Sequence, residues 1–206
     1  MAVHRLRDLD DEDQPQRVDE KTRRVALAFH AVLEALELDR SDPDLAGTDL
    51  RVARMYRELF AGLERDEPRL RTFPNREGYS EMVTVLDIPF YSLCAHHFLP
   101  FFGSAHVGYI PSDRIVGLSK IARVVDHYAR RPQLQERMTE QILGLLRDRL
   151  QPRGVMVVLQ GRHLCMEMRG VSKPRVVTTT SAIAGAFDED KVRQEFLALL
   201  PSRESG

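Results

Sequence analysis

Tryptophan is absent from the 206 residues, and cysteine occurs only twice, as Cys94 and Cys165. Two cysteines are too few for a disulfide framework. The fold must rest on an apolar core, and a chain of this length that is 43% hydrophobic can supply one. Neither sign of charge prevails: Lys+Arg is 30 against Asp+Glu 31. A general nucleic-acid binder would carry a basic excess, so the balance argues against that class but not against a local basic pocket for a phosphorylated small molecule. No run approaches the roughly 18 apolar residues of a membrane-spanning helix. Met1 to Arg17 is charged throughout and lacks the apolar stretch of a secretory signal. The expectation is a soluble cytoplasmic protein whose cysteines are buried hydrophobes, metal ligands or reactive thiols.

Residues 1–19 show no apolar period and read as a mobile arm. From Glu20 to Leu38, Val25, Phe29, Val32, Leu33 and Leu36 recur at helical spacing, and Ser41-Asp42-Pro43 breaks the pattern. A second helix is expected from about Asp49 to Leu63. Together these make a helical region over 20–70. Glu81 to Tyr91 and Ser104 to Ile110 then read as strands, joined by CAHHFLPFFG as a loop or hairpin connection. Leu118 to Ala129 and Gln133 to Leu150 read as helices. Gly154 to Met168 and Arg175 to Ser181 read as strands, and a last helix spans about Glu189 to Leu200. Strands therefore come in sequential pairs, which favours an antiparallel α+β sheet over a doubly wound one.

Both cysteines have histidines close by. Cys94-Ala95-His96-His97 places a Cys and a His three apart, able to turn toward one ion. His163-Leu164-Cys165, read as the end of a strand, puts His163 and Cys165 on one face. Three ligands, Cys94, His97 and Cys165, would leave the fourth position of a tetrahedral zinc open, as in a catalytic site. His96 and His163 would remain as proton carriers. Taken singly, each residue is as well explained as a buried small hydrophobe or a satisfied polar group. The coincidence of both cysteines with histidines favours a metal.

A basic set accompanies them: Lys120, Arg123, Arg130, Arg131 and Arg169, with Arg51 upstream. Lys120 and Arg123 share a helix face near its start, where Ser119 and backbone N–H groups can help hold phosphate oxygens; a solvated basic face is the alternative. Gln135-Glu136 offers an amide and a carboxylate that can read a guanine edge, or else an acidic helix start favoured by the dipole.

YSLCAHHFLPFFG, followed by GYIP, GLSKIARVV, ARRPQLQERMT, HLCMEMRGV and TTTS, resembles GTP cyclohydrolase I. The similarity runs from about Thr22 to Leu200, with motifs in family order and spacing. It implies a tunnelling fold (T-fold) over 71–206, in which antiparallel sheets of several subunits form a barrel. It also implies a homodecamer of two face-to-face pentamers with sites at subunit interfaces. By resemblance the zinc ligands fall on Cys94, His97 and Cys165, and the catalytic histidines on His96 and His163. The triphosphate contacts fall on Ser119, Lys120, Arg123 and Arg169, with Arg51 from a neighbouring subunit. The guanine anchors fall on Gln135 and Glu136, helped by backbone near Leu118. The implied reaction takes GTP to formate and 7,8-dihydroneopterin triphosphate, the entry to tetrahydrofolate and pterin synthesis, with zinc and no organic cofactor.

Four positions depart from the family pattern. Ala95 stands where Glu is usual, Ser104 where Lys is usual, and Gln160 where Glu is common. Thr48-Asp49-Leu50-Arg51-Val52-Ala53 lacks the usual Pro. None removes a ligand or a proton carrier. They keep two alternatives open: a paralogue that stops at the ring-opened formamidopyrimidine or takes another purine nucleotide, and a non-catalytic purine- or pterin-binding scaffold.

Overall fold

Asp19 accepts a hydrogen bond from the Thr22 amide (2.7 Å) and so caps helix α1 (Glu20–Ala35). The computed structural model describes residues 18–39 and 41–201. Of the arm expected over 1–19, all but Val18 and Asp19 lies outside the described residues. The chain forms two compact units that divide between Leu59 and Phe60.

The first unit pairs α1 with α2 (Thr48–Leu59). Ala26 and Leu33 of α1 and Leu50 and Ala53 of α2 are buried. A buried Asp49 carboxylate faces His30 Nδ1 at 3.1 Å and ties the two helices together. The apolar stripe expected on α1 is only partly covered, since Val32 and Leu36 are exposed in the single chain.

The second unit contains β1 (Thr72–Pro74), β2 (Val83–Cys94), β3 (Pro100–Ile110), β4 (Arg114–Val116), α3 (Leu118–Ala129), β5 (Pro132–Gln133), α4 (Gln135–Leu150), β6 (Gly154–His163), α5 (Leu164–Glu167), β7 (Val177–Gly185) and α6 (Asp190–Leu199). Its main sheet has the order β5-β2-β3-β6-β7. All its pairings are antiparallel except the two-residue parallel contact of β5 with β2. The expected α+β tunnelling-fold architecture, with sequential strand pairs after a helical pair, is what the chain adopts. The small β1–β4 pair and β5 are additions that strand periodicity did not indicate, being too short to carry a period.

Strand β6 explains why its sequence, GVMVVL, reads as continuous apolar residues. Val155, Val157 and Leu159 join the core formed with Ile121, Val124 and Val125 of α3 and Met138, Ile142 and Leu146 of α4. Met156 and Val158 point the other way, into a second cluster with Phe187 and Phe196. A strand covered on both faces has no polar side to alternate with. Phe196 reaches the sheet because residue 108 is glycine: a Cβ there would stand 2.6 Å from its ring. The 154–168 strand expectation was too long. The ladder stops at His163, and Leu164–Glu167 is helical.

Candidate functional site

The register of three strands brings the two sequence clusters together. β3 lies between β2 and β6, pairing Phe101 with Ser92 on one side and with His163 on the other. The ends of β2 and β6 therefore flank the start of β3. β2 ends at Cys94, whose amide donates to the Leu99 carbonyl (2.9 Å). Its own carbonyl accepts from the amides of His97 (3.3 Å) and Phe98 (2.8 Å). Phe98 closes this turn with φ +54°. The Ala95 amide donates to the Gln133 carbonyl of β5 (2.9 Å). The turn folds His97 Nδ1 back to 3.9 Å from Cys94 Sγ.

Cys165 arrives from α5 rather than from a strand. His163 and Cys165 therefore do not share a strand face as expected, because the backbone turns helical right after His163. Both still reach the same place: ligand atoms of Cys94, His97 and Cys165 lie within 4.8 Å of one another. Burial and the neighbouring Cys94 push the Cys165 thiol up, with Arg169 pulling it down. Two thiols gathered beside an imidazole are a donor set completed by a soft-tolerant divalent cation, and thiolate–imidazole sets suit zinc. The residues fit the metal that the resemblance implies.

The turn carrying Cys165 is held by a pair that sequence reading missed. Arg162 makes two hydrogen bonds to Glu167, Nε to Oε1 at 2.8 Å and Nη2 to Oε2 at 2.6 Å, and the Glu167 side chain is 8% exposed. The two residues are five apart across a strand end and a helical turn, a spacing no secondary-structure period favours.

His163 is half-buried and lies flat on the Phe101 ring, with centroids 4.7 Å apart and planes 2° apart. Its Nε2 is 2.9 Å from Gln135 Oε1. Burial pulls its pKa down, and Glu136 pushes it back up. His96 projects from the same turn as His97, with ring centroids 6.2 Å apart, and is exposed.

Among the expected substrate residues, Gln135 is 2% exposed and its amide is engaged by the protein. Glu136 is exposed at the start of α4, within electrostatic reach of His163. Arg169 is exposed just past α5. Ser119, Lys120 and Arg123 stand on the first turns of α3, beside an exposed Leu118. No hydrogen bond or ion pair joins them to the Cys94 cluster among the described residues. Arg51 belongs to the first unit, where its guanidinium donates to the Ala46 carbonyl and Thr48 Oγ1, both at 2.7 Å.

Two of the departures from the family pattern prove to be neighbours. Ser104 and Gln160 are directly opposed in the β3–β6 register. A Lys and a Glu there would form a cross-strand ion pair. Ser and Gln replace it with a neutral pair, leaving the net charge of this stretch unchanged.

A family model described as GTP cyclohydrolase I matches residues 25–201. The chain is 54% identical over 181 residues to a GTP cyclohydrolase 1 of Mycolicibacterium gilvum, covering 85% of this chain and 90% of that protein. It is 49% identical over 179 residues to a GTP cyclohydrolase 1 of Listeria monocytogenes serotype 4a, covering 86% of this chain and 95% of the relative. Among solved structures, a crystal structure of the archaeosine synthase QueF-Like in the apo form aligns with a TM-score of 0.42 at 20% identity, over 51% of this chain and 94% of that one.

Proposed function

The chain belongs to the GTP cyclohydrolase I family, and from that premise we propose that it is a zinc-dependent enzyme converting GTP to formate and 7,8-dihydroneopterin triphosphate. The observation that carries this reading is the convergence of Cys94, His97 and Cys165 beside a half-buried His163 fixed by a stacked ring and a hydrogen bond. These residues would hold the metal. Bound zinc supplies a Lewis acid that makes water a nucleophile at neutral pH.

The protein's own groups account for the rest. Glu136 accepts from the two N–H groups on the guanine edge. Ser119, Lys120, Arg123 and Arg169, with Arg51 from a neighbouring subunit, hold the triphosphate and so position C8 for attack by water. His163 and His96 deliver a proton to the departing ring nitrogen as the imidazole opens. A second hydrolysis releases formate, and the ribose opens, rearranges and recloses onto the pyrimidine. In this reading 71–206 carries the chemistry and the helical region 20–70 contributes Arg51.

The same reading includes a decamer of two pentamers in the cytoplasm. It is supported by large apolar residues left uncovered on the single chain, among them Met55 on α2 and, in the second unit, Tyr91, Leu118 and Met168. Among the described residues no helix is long and apolar enough to cross a membrane.

The test is incubation with GTP, chromatography of the mixture and a parallel formate assay. A pterin triphosphate with equimolar formate is expected. A formamidopyrimidine nucleotide without formate would mean an early stop after ring opening, formate without a pterin a stop after the second hydrolysis, and GTP bound but unchanged would reduce the protein to a scaffold.

A further inference from the structure

Gln135 is the first residue of α4 and is 2% exposed. Its Nε2 faces three acceptors: the carbonyls of Leu159 (3.2 Å) and Thr178 (3.0 Å) and Thr180 Oγ1 (3.1 Å). Two of these are backbone carbonyls, which only accept. The opposite amide orientation would set oxygen against oxygen twice, so the surroundings fix which end of the amide faces which way. Thr180 Oγ1 is itself 2.7 Å from Thr139 Oγ1, which donates its one hydrogen to the Gln135 carbonyl (2.8 Å) and so accepts from Thr180.

The other end of the amide is consequently an oxygen, 2.9 Å from His163 Nε2. A carbonyl oxygen accepts, so the imidazole nitrogen facing it must carry the hydrogen. The ring plane is set independently by Phe101, which is fully buried and stacked on it. Residue 161 must be small for this to happen, because a Cβ on Gly161 would stand 2.6 Å from Gln135 Oε1. With its nitrogen shared among three protein acceptors and its oxygen on the imidazole, this amide keeps only the second lone pair of that oxygen, and at 2% exposure the side chain is shut off from a guanine ring.

We propose that Gln135 is a positioning residue for His163: it holds the imidazole with the hydrogen on Nε2 and leaves Nδ1 as the nitrogen through which His163 exchanges protons with the substrate. The inference deepens the proposed reaction and rests on it. It moves Gln135 from the guanine site to the proton-transfer machinery and leaves Glu136 as the side-chain guanine anchor.

The experiment compares full-length, zinc-loaded wild type with Gln135→Met and Gly161→Ala. The first removes the acceptor. The second keeps the amide but crowds its oxygen, and it guards against misfolding of the first, which strands the Leu159 and Thr178 carbonyls. Loss of a group that orients a functional histidine lowers kcat by about 10–100-fold, with KM and the Kd of GTP within about twofold of wild type. On a His163→Ala background, Gln135→Met should change the residual rate by less than about twofold, because its effect passes through the missing ring.

A rise in KM and Kd of about tenfold or more with kcat retained, repeated on the His163→Ala background, would restore Gln135 to the guanine site and overturn the proposal. Nitrogen-15 spectra of histidine-labelled enzyme at about pH 8, above the ordinary imidazole pKa of about 6.5, read the tautomer directly. Hydrogen on Nε2 of His163 is expected, and hydrogen on Nδ1 would refute the assignment. A wild type that releases no formate from GTP defeats the underlying reaction instead, and the tautomer then decides alone whether Gln135 sets the ring.

Discussion

Cys165 sits where two thiols and an imidazole converge, so its loss removes one of the three donors that could hold a metal there. Cys165→Ala is expected to abolish both bound zinc and turnover while the oligomer survives. Elemental analysis on size-fractionated protein checks this, and full metal occupancy in the variant would show that the ligands are wrongly assigned. Glu136 makes a separate case. Its exposed carboxylate can accept from both guanine N–H groups, whereas an amide presents one acceptor and one donor. A hydrogen bond to a charged group is worth about 1.5–3 kcal/mol. Glu136→Gln should therefore lower kcat/KM for GTP by about tenfold or more while affecting inosine triphosphate, which lacks the 2-amino group, much less. Equal losses on both nucleotides would place Glu136 outside base recognition.

Helix α5 is a single turn, too short to be stable by its own hydrogen bonds. What holds it is the Arg162–Glu167 pair, with Glu167 tucked to 8% exposure. Removing the carboxylate frees the turn that delivers Cys165. Glu167→Ala should weaken zinc affinity by about 10–100-fold and lower the denaturant midpoint. Chelator competition gives the first quantity and denaturant unfolding the second. Unchanged zinc affinity in a destabilised variant would confine the pair to a purely structural part.

At the scale of the whole molecule, the single chain leaves its α3 basic residues unlinked to the Cys94 cluster and several apolar side chains uncovered. Ser119, Lys120 and Arg123 on α3 make no hydrogen bond or ion pair to the Cys94 cluster among the described residues, and large apolar side chains such as Tyr91 and Met168 are uncovered. In the proposed decamer a neighbouring subunit would bury that apolar area and bring Arg51 toward the Cys94 cluster. Light scattering is expected to report a decamer. If dilution or Tyr91→Glu yields smaller species, their specific activity should fall with the decamer fraction. A fully active monomer would end the shared-site reading.

Much of this protein is legible along the chain. The apolar run of β6, the helical spacing of α3 and α4 and the pairing of strands follow from local periodicity, because a side chain's face is set by the few residues around it. The two halves of the Cys94, His97 and Cys165 group that could hold a metal were also visible, since each cysteine has a histidine close by in sequence. What no local rule could supply is the register that lays the ends of β2 and β6 on either side of β3. Nor could it supply the turn to helix after His163, or the amide of Gln135 facing an imidazole twenty-eight residues on. Those depend on which distant groups are left buried and unpaired once the core has closed. In a dry interior each such group must find its partner wherever the chain has placed one.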